Sequence, residues 1–510
     1  MPSQQSPIKW NYAEFGVDQR IPPVAPSVLG FAAAHNGYFT TNASWRSRPG
    51  ATYVGDAIAS DTAVDGLFDY WVNSATQYVI KVSKSLFYKL VSSTWTSVSL
   101  GTVAVAAGNP VNFAVLNGVC VFGNGVGHTG SFDGTTITDL NAQLAPCKYF
   151  VTHGKRIFAA GNPTYPSRLF WCAADNPADW TTAGDAGFAD CEKGDDIITG
   201  IGSYGGDIWV AKGEKNPGLM LFSGTSYDDF RFIPAFSHTG ITGYHRTMLT
   251  VGNDLLFQGP NGIYSLNRLK TVGGNPEQAR ISDPVQRSFG QQSFAKIGTG
   301  CAVWVPDLNI AVFYLSKNGT ALDNALCVSV PADISGKYRW ASWDFTPTLS
   351  VAARYVTSTG RTVLLGGTSG RAAVWSGTLS TDQDGSEFPS SITMPFLSMG
   401  SQRQVKAARH FTQTYLAAST LTFNLTLLDG TVYTQSIPGS AGGTWNTGLW
   451  GSGFGSSASY PYNSGVVNTG NLPLRGLSTA MAPQIAKTSG VYELYDGQFD
   501  LVGCGRSEKA

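Results

Sequence analysis

Charge is what this sequence has least of. Only 13% of its 510 residues are Asp, Glu, Lys or Arg, against about 25% in ordinary globular chains. The 34 basic and 34 acidic residues cancel to a formal net charge of zero. Without a basic excess the chain does not wrap nucleic acid through phosphate neutralisation, although a polyanion can pass it without being gripped. A surface so poor in Lys and Glu is suited to being covered by partner subunits. Cysteine pairs are lacking too. The seven cysteines, Cys120, Cys147, Cys172, Cys191, Cys301, Cys327 and Cys504, are scattered and form no C-x-x-C. They read as reduced, buried thiols of a protein assembled in a reducing cytosol, with no metal site. No apolar run approaches the ~18–20 residues that span a bilayer. The start, Met1-Pro2-Ser3-Gln4-Gln5-Ser6-Pro7, has neither the basic flank nor the apolar core of a signal peptide. The phosphate-cradling G-x-x-x-x-G-K-[ST], the nucleophile elbow G-x-S-x-G and the zinc motif H-E-x-x-H are all missing.

What is present is repetition. Val119-Cys120-Val121-Phe122-Gly123 runs through a glycine turn into Ser131-Phe132-Asp133-Gly134. The pattern returns at 208–213 with 219–224, at 254–259 with 262–266, and at 362–367 with 373–377. Each copy is a short β-branched or aromatic run, a Gly-rich turn and a second short run. Such a hairpin cannot bury both faces alone, so its repetition predicts blades packed on one another. Sixty glycines and 25 prolines, spread without a period, fit many tight turns. The predicted fold class is all-β: a β-propeller of six or seven irregular blades, with an extended N-terminal arm and a C-terminal β-sandwich.

Three regions follow. Residues 1–50 are proline-rich (Ile21-Pro22-Pro23-Val24-Ala25-Pro26) and read as an extended arm ending at the basic turn Trp45-Arg46-Ser47-Arg48-Pro49-Gly50. Residues 51–380 hold the blades. Residues 381–510 form a second β region, in which 421–428 alternates with period two and Asp429-Gly430 marks a hairpin turn. Within it, 436–472 is a Gly/Ser/Asn-rich loop carrying Trp445, Trp450, Phe454, Tyr460 and Tyr462. These aromatics suit a subunit contact, with stacking on sugars or bases as the alternative.

Few residues point to chemistry. Gly125-Val126-Gly127-His128-Thr129-Gly130 matches G-x-G-x-x-G, but it lies between two strands and reads as a turn. The six histidines are dispersed. Asp382-Gln383-Asp384-Gly385 lacks the helices and the terminal Glu of a calcium loop, and also reads as a turn. Acidic residues gather between Asp175 and Asp229. Three readings stand beside one another: a solvated face, a glycosidase carboxylate pair, or a negative lining that keeps a passing polyanion from sticking.

Four features coincide in order: the Arg48-Pro49-Gly50 turn; residues 196–210 closing on Leu221-Phe222-Ser223-Gly224; Asn253-Asp254-Leu255-Leu256-Phe257-Gln258-Gly259 with Gly262-Ile263-Tyr264-Ser265-Leu266; and a C-terminal β region opened by Gln404-Val405-Lys406-Ala407-Ala408-Arg409. With them the chain resembles the tail nozzle proteins of short-tailed bacteriophages (podoviruses), also described as packaged-DNA stabilisation or tail-hub proteins. The resemblance spans most of the chain and is strongest over 195–270. It implies a homohexameric virion protein, assembled in the bacterial cytoplasm and docked below the head–tail adaptor. Such a ring retains packaged double-stranded DNA, conducts it during ejection, and carries tail fibres, tailspikes or tail-tip proteins. It implies no enzyme activity and no cofactor. On this reading Asp185, Asp190, Glu192, Asp195 and Asp196 are expected to line the channel, and Arg46, Arg48, Trp445, Trp450 and Phe454 to contact a neighbouring subunit or the adaptor. The competing expectation is a tail-tip protein with a propeller fold that binds or hydrolyses host glycan.

Overall fold

A computed structural model describes residues 8–12, 16–22, 24–25, 30–41, 44–59, 61–191, 196–213, 217–236, 240–331, 337–377, 379–397, 404–417, 421–437, 468–473, 477–478, 481–487 and 492–506. Four hairpin-linked antiparallel sheets of four strands come first. Blade 1 is Val64–Asn73, Thr76–Ser83, Leu86–Val91 and Thr94–Val98. Blade 2 is Asn112–Leu116, Val119–Gly123, Gly130–Phe132 and Ile137–Asp139. Blade 3 is Tyr149–His153, Arg156–Ala160, Arg168–Trp171 and Gly187–Asp190. Blade 4 is Ile198–Tyr204, Asp207–Lys212, Gly218–Ser223 and Arg231–Phe236. Blade 5 has three strands, Leu249–Val251, Asp254–Gly259 and Gly262–Ser265. Blade 6 is Cys301–Val305, Ile310–Leu315, Leu322–Ser329 and the first half of Arg339–Thr357. The second half of that long strand opens blade 7, which continues through Gly360–Gly367 and Ala372–Ser376.

The first strand of each blade touches the first strand of the next. The order is cyclic, because Arg339–Thr357 comes back against Val64–Asn73. The chain is therefore a closed β-propeller of seven blades. Its last blade is completed from the other end of the sequence: Gly50–Val54 pairs antiparallel with Ala372–Ser376 as the outer strand.

The second strand of each blade explains the repeat. It lies between neighbours and is buried on both faces, so it reads as a continuous apolar run rather than an alternation. Ile310–Leu315 is buried at every position, as is Arg156–Ala160. Large side chains fill the wedges between blades. Phe87 of blade 1 packs on Phe122 and Phe132 of blade 2, with ring centres 4.9 and 5.1 Å apart. Phe222 of blade 4 meets Phe158 and Trp171 of blade 3 at 5.9 and 5.6 Å. Asn117 and Gly118 both take positive φ (50° and 76°) in the first hairpin of blade 2, the backbone that a two-residue turn between twisted strands needs.

Blade 5 departs from the repeat. Its third strand stops at Ser265 and hands over to short helices, Leu266–Thr271, Pro276–Ala279 and Gln286–Phe289, where each of the four preceding blades carries a fourth strand. The Ser265 side chain accepts the Arg268 N–H, and the Asn275 side chain accepts from Glu277 and Gln278, so the first two helix starts are capped, while Gln286–Phe289 has no side-chain cap.

The described strands of the N-terminal segment pair within their own chain. Ile8–Asn11 pairs with Tyr492–Arg506, and Val24–Ala25 runs parallel to Phe396–Leu397. Ala33–His35 is wedged between Arg339–Thr357 and Ser390–Thr393. Gly37–Phe39 pairs with Trp45–Ser47, which pairs with Tyr492–Arg506. Proline removes donors but leaves the residues between prolines free to pair, and here they pair within their own chain.

Beyond the ring two sheets meet as a sandwich. One holds Ser390–Thr393, Met481–Lys487, Leu421–Leu427 and Val432–Ile437. The other is built around Gln404–Ala417 and Tyr492–Arg506. Leu421, Phe423 and Leu425 of the first share one apolar layer with Trp45, Tyr492 and Leu494 of the second. Asp429-Gly430 is the hairpin turn, with Gly430 at φ 88°.

Candidate functional site

All seven innermost strands begin at the same end of the ring, and the loops joining second to third strands return there. At that end a cavity of about 190 Å³ opens on the axis. It is lined by Asp65, Gly108, Arg246, Lys296, Thr320 and Ser350, among others, drawn from blades 1, 6 and 7 and from the approaches to blades 2, 5 and 6. A water occupies about 30 Å³ of liquid, so the space holds a few waters and no polymer.

Each charged group here sits at or just before an innermost strand. Asp65 is the second residue of blade 1 and only 8% exposed. Its Oδ1 accepts the Gly108 N–H at 2.9 Å. Burial pushes its carboxyl up to about 6, although the Gly108 N–H and the Arg246 charge pull the other way. Arg246 precedes blade 5. Its Nη1 donates to the Thr299 carbonyl at 3.3 Å, while its Nη2 is sealed from solvent with no hydrogen-bond partner. Lys148 precedes blade 3, and burial followed by the Arg246 charge lowers its ammonium. The His245 ring packs tilted against Tyr149, with centres 4.9 Å apart, and its Nδ1 lies 3.0 Å from the Ile201 carbonyl. Burial drives its imidazole down to about 4, so it is neutral. Below it, Gln258 is fully buried and donates to the Ile297 carbonyl at 3.0 Å, while its Oε1 has no partner.

Sequence reasoning missed this cluster, because its members are scattered from 65 to 296. A charged residue stands at or ahead of the first strand in blades 1, 3, 4, 5 and 6 (Asp65, Lys148, Asp196, Arg246 and Lys296), but not in blades 2 and 7.

Among the described residues, those singled out from sequence lie apart from one another. Asp185 binds Arg156 and accepts the Ala174 N–H at 3.0 Å, and the Arg156 hydrogen bond holds its carboxyl below the usual range. Asp190 lies on the outermost strand of blade 3 and is clasped by both Nε and Nη2 of Arg168, at 2.8 and 3.1 Å. Asp196 is buried ahead of blade 4 and accepts the Ile197 N–H at 2.9 Å. Other acids of this stretch cap turns. Asp179 holds the N–H groups of Thr181 and Thr182, and Asp229 those of Thr225 and Ser226. Glu192 and Asp195 lie outside the described residues, as do Trp445, Trp450 and Phe454. Arg46 is half-buried beside a second cavity of about 160 Å³, with Tyr38, Asp307, Arg361 and Trp375.

Arg48 overturns the expectation of a contact with a neighbouring subunit or the adaptor. It is 1% exposed and fully engaged within its own chain. Its Nη2 meets both oxygens of Asp382, at 2.8 and 2.9 Å, and its Nε donates to Asn36 at 3.1 Å. The guanidinium lies 3.6 Å from the centre of the Phe388 ring. With these partners it has no face left for another molecule. The turn at Asp382 is accordingly a buried anchor.

No protein-family model matches the chain, and no curated protein matches it. Among solved structures it is similar to YCF48 bound to a D1 peptide, at 8% identity and TM-score 0.39, over 64% of this chain and 97% of that one. It is similar to the Pan2 WD40 domain of Neurospora crassa, at 9% identity and TM-score 0.34, over 62% and 89%. The exo-β-1,3-galactanase of Phanerochaete chrysosporium with galactose aligns at 11% identity and TM-score 0.26, over 89% and 100%. These are likenesses of fold at low similarity, and the architecture rests on the strand pairing itself.

Among the residues lining this cavity the charged ones are Arg246 and Lys296, with one carboxyl, Asp65. Among the described residues no group of His, Cys, Asp or Glu is arranged to hold a metal ion. The six described cysteines are buried and unpaired to one another.

Proposed function

We propose that this protein is a rigid structural subunit of a short-tailed phage tail, forming a nozzle ring that retains and conducts double-stranded DNA. One observation carries the reading furthest. The strand Arg339–Thr357 serves blade 6 with one half and blade 7 with the other, and passes hydrogen bonding on to Ala33–His35 and then Ser390–Thr393. Propeller and sandwich are thereby parts of one continuous sheet. A component that must keep its shape in an assembly needs that stiffness.

Two further observations support it. Charged side chains are turned inward: Arg48 on Asp382, Lys81 on Asp61 and Arg156 on Asp185 are all ion pairs with a buried partner. Large apolar side chains stand outside, among them Phe188, Tyr165, Leu428, Val432 and Tyr433, as suits surfaces covered by neighbours. The axial cavity of one ring is far too small for a duplex, so a DNA passage would lie between subunits.

Negative-stain imaging of the recombinant protein tests this. A closed ring of six copies with an open centre is the expected result. A monomer at micromolar concentration, an assembly with a sealed axis, or turnover of host-surface glycan would overturn it.

A further inference from the structure

We propose that the sandwich carries a pairing edge for a second copy of this chain: the strand Val432–Ile437 joins the same strand of another copy, antiparallel, across a two-fold axis. This stands independently of the nozzle reading, since such a contact couples two copies, or two rings where rings form.

Val432–Ile437 is the last strand of its sheet and pairs only with Leu421–Leu427 among the described residues. Its other side presents backbone N–H and C=O groups in a row. Natural proteins blunt such an edge with lysine, proline, a bulge or a covering segment. This strand uses none of them. Val432-Tyr433-Thr434-Gln435-Ser436-Ile437 holds no charge and no proline. Its register against Leu421–Leu427 runs without a bulge. Val432 is 53% and Tyr433 43% exposed, and Thr434 and Ser436 are exposed with them.

Tyr433 shows what a further strand would cover. It stands opposite Leu425, and Gln435 opposite Phe423, and both of those partners are fully buried. Residues paired across an antiparallel ladder share a face, so Tyr433 and Gln435 carry the core-facing side of the sandwich to its rim, where it ends in water. On the other face the Thr434 hydroxyl donates to Asn424 Oδ1 at 2.9 Å, which holds the strand in place before any partner arrives. Charge and symmetry select the occupant. A partner chosen by charge would find nothing to bind, whereas two copies of an uncharged strand bring no like charges together. Antiparallel pairing centred on Thr434 sets Val432 of one copy opposite Ser436 of the other, and Tyr433 opposite Gln435. It matches the strand to itself in length and needs no second complementary surface.

Cross-linking of the full chain tests the register. Thr434→Cys in a Cys504→Ser background should convert mostly to covalent dimer on mild oxidation, while Cys504→Ser alone runs as a single chain on a non-reducing gel. Light scattering on the eluting protein tests the contact. Thr434→Lys sets two ammonium groups opposite each other and should halve the mass of the parent assembly at equal protein concentration, with the circular dichroism spectrum unchanged. If Thr434→Lys does not fold, Val432→Lys at its exposed position is expected to halve the mass instead. A mass unchanged in the folded lysine variant, as when another part of this chain or a different protein covers the edge, would overturn the proposal. So would a Thr434→Cys variant that oxidises to no more dimer than Cys504→Ser alone.

Discussion

Arg48 shows how one side chain joins distant parts of the chain. It binds Asp382, 334 positions away, and lies over Phe388. Burial alone would lower the Arg48 pKa and raise that of Asp382, and each partner counters the shift in the other. Removing one member leaves the other charged and buried. Arg48→Met is therefore expected to cost about 3–5 kcal/mol in denaturant unfolding, with Arg48→Lys intermediate because an ammonium loses the fork and the flat stacking face. Asp65 offers a second residue-scale test. Its folded carboxyl is raised above the ordinary value, so the folded state holds the proton more tightly than the unfolded chain. Its contribution is then most favourable below pH 4 and declines as pH rises towards about 6. At pH 7, Asp65→Asn should stabilise the protein by about 1 kcal/mol, and that gain should vanish near pH 4. An unchanged pH profile of unfolding would show that Asp65 is better solvated than its place on the axis implies.

Elements were legible where burial is local. The hairpins at 119–134, 208–224, 254–266 and 362–377 could be read because their longer strands are apolar on both faces and their turns are marked by glycine or asparagine. The helices that follow the blade 5 hairpin were not read, although their signals were present: Ser265 stands three residues before Arg268, and Asn275-Pro276 is an N-cap followed by proline. The strand preceding Ser265 matched the repeat so well that the helix start was absorbed into it. Ser265 is fully buried and also donates to the raised carboxyl of Asp254. Ser265→Ala should cost about 1–2 kcal/mol, seen as a lower unfolding midpoint. The axial cluster was illegible for a different reason. No local pattern tells Asp65, Lys148 and Arg246 that they share an axis, because only ring closure brings blades 1, 3 and 5 face to face.

At the scale of the whole molecule, closure decides the most. Gly50–Val54 is the outer strand of blade 7, while the strand that contacts blade 1 is Arg339–Thr357. The ends of the ring are thus fastened by a segment that precedes every other blade strand in sequence. That segment cannot be read locally, since its partner Ala372–Ser376 lies more than three hundred residues away. The N-terminal strands before it also pair with the sandwich, so one stretch of chain fastens both units. Deleting residues 1–54 would leave Ala372–Ser376 as an open edge, uncover Trp375, and remove Trp45 from beneath Tyr492. An exposed edge with bulky apolar neighbours invites pairing with other chains. The truncated protein is expected to lose its single cooperative transition and to aggregate on warming, whereas a deletion confined to residues 1–7 should unfold like the parent. Should the longer deletion melt as one unit at the parent's temperature, the clasp would not be what holds the seven blades together, and the stiffness on which the nozzle proposal depends would have to come from the inner strands alone.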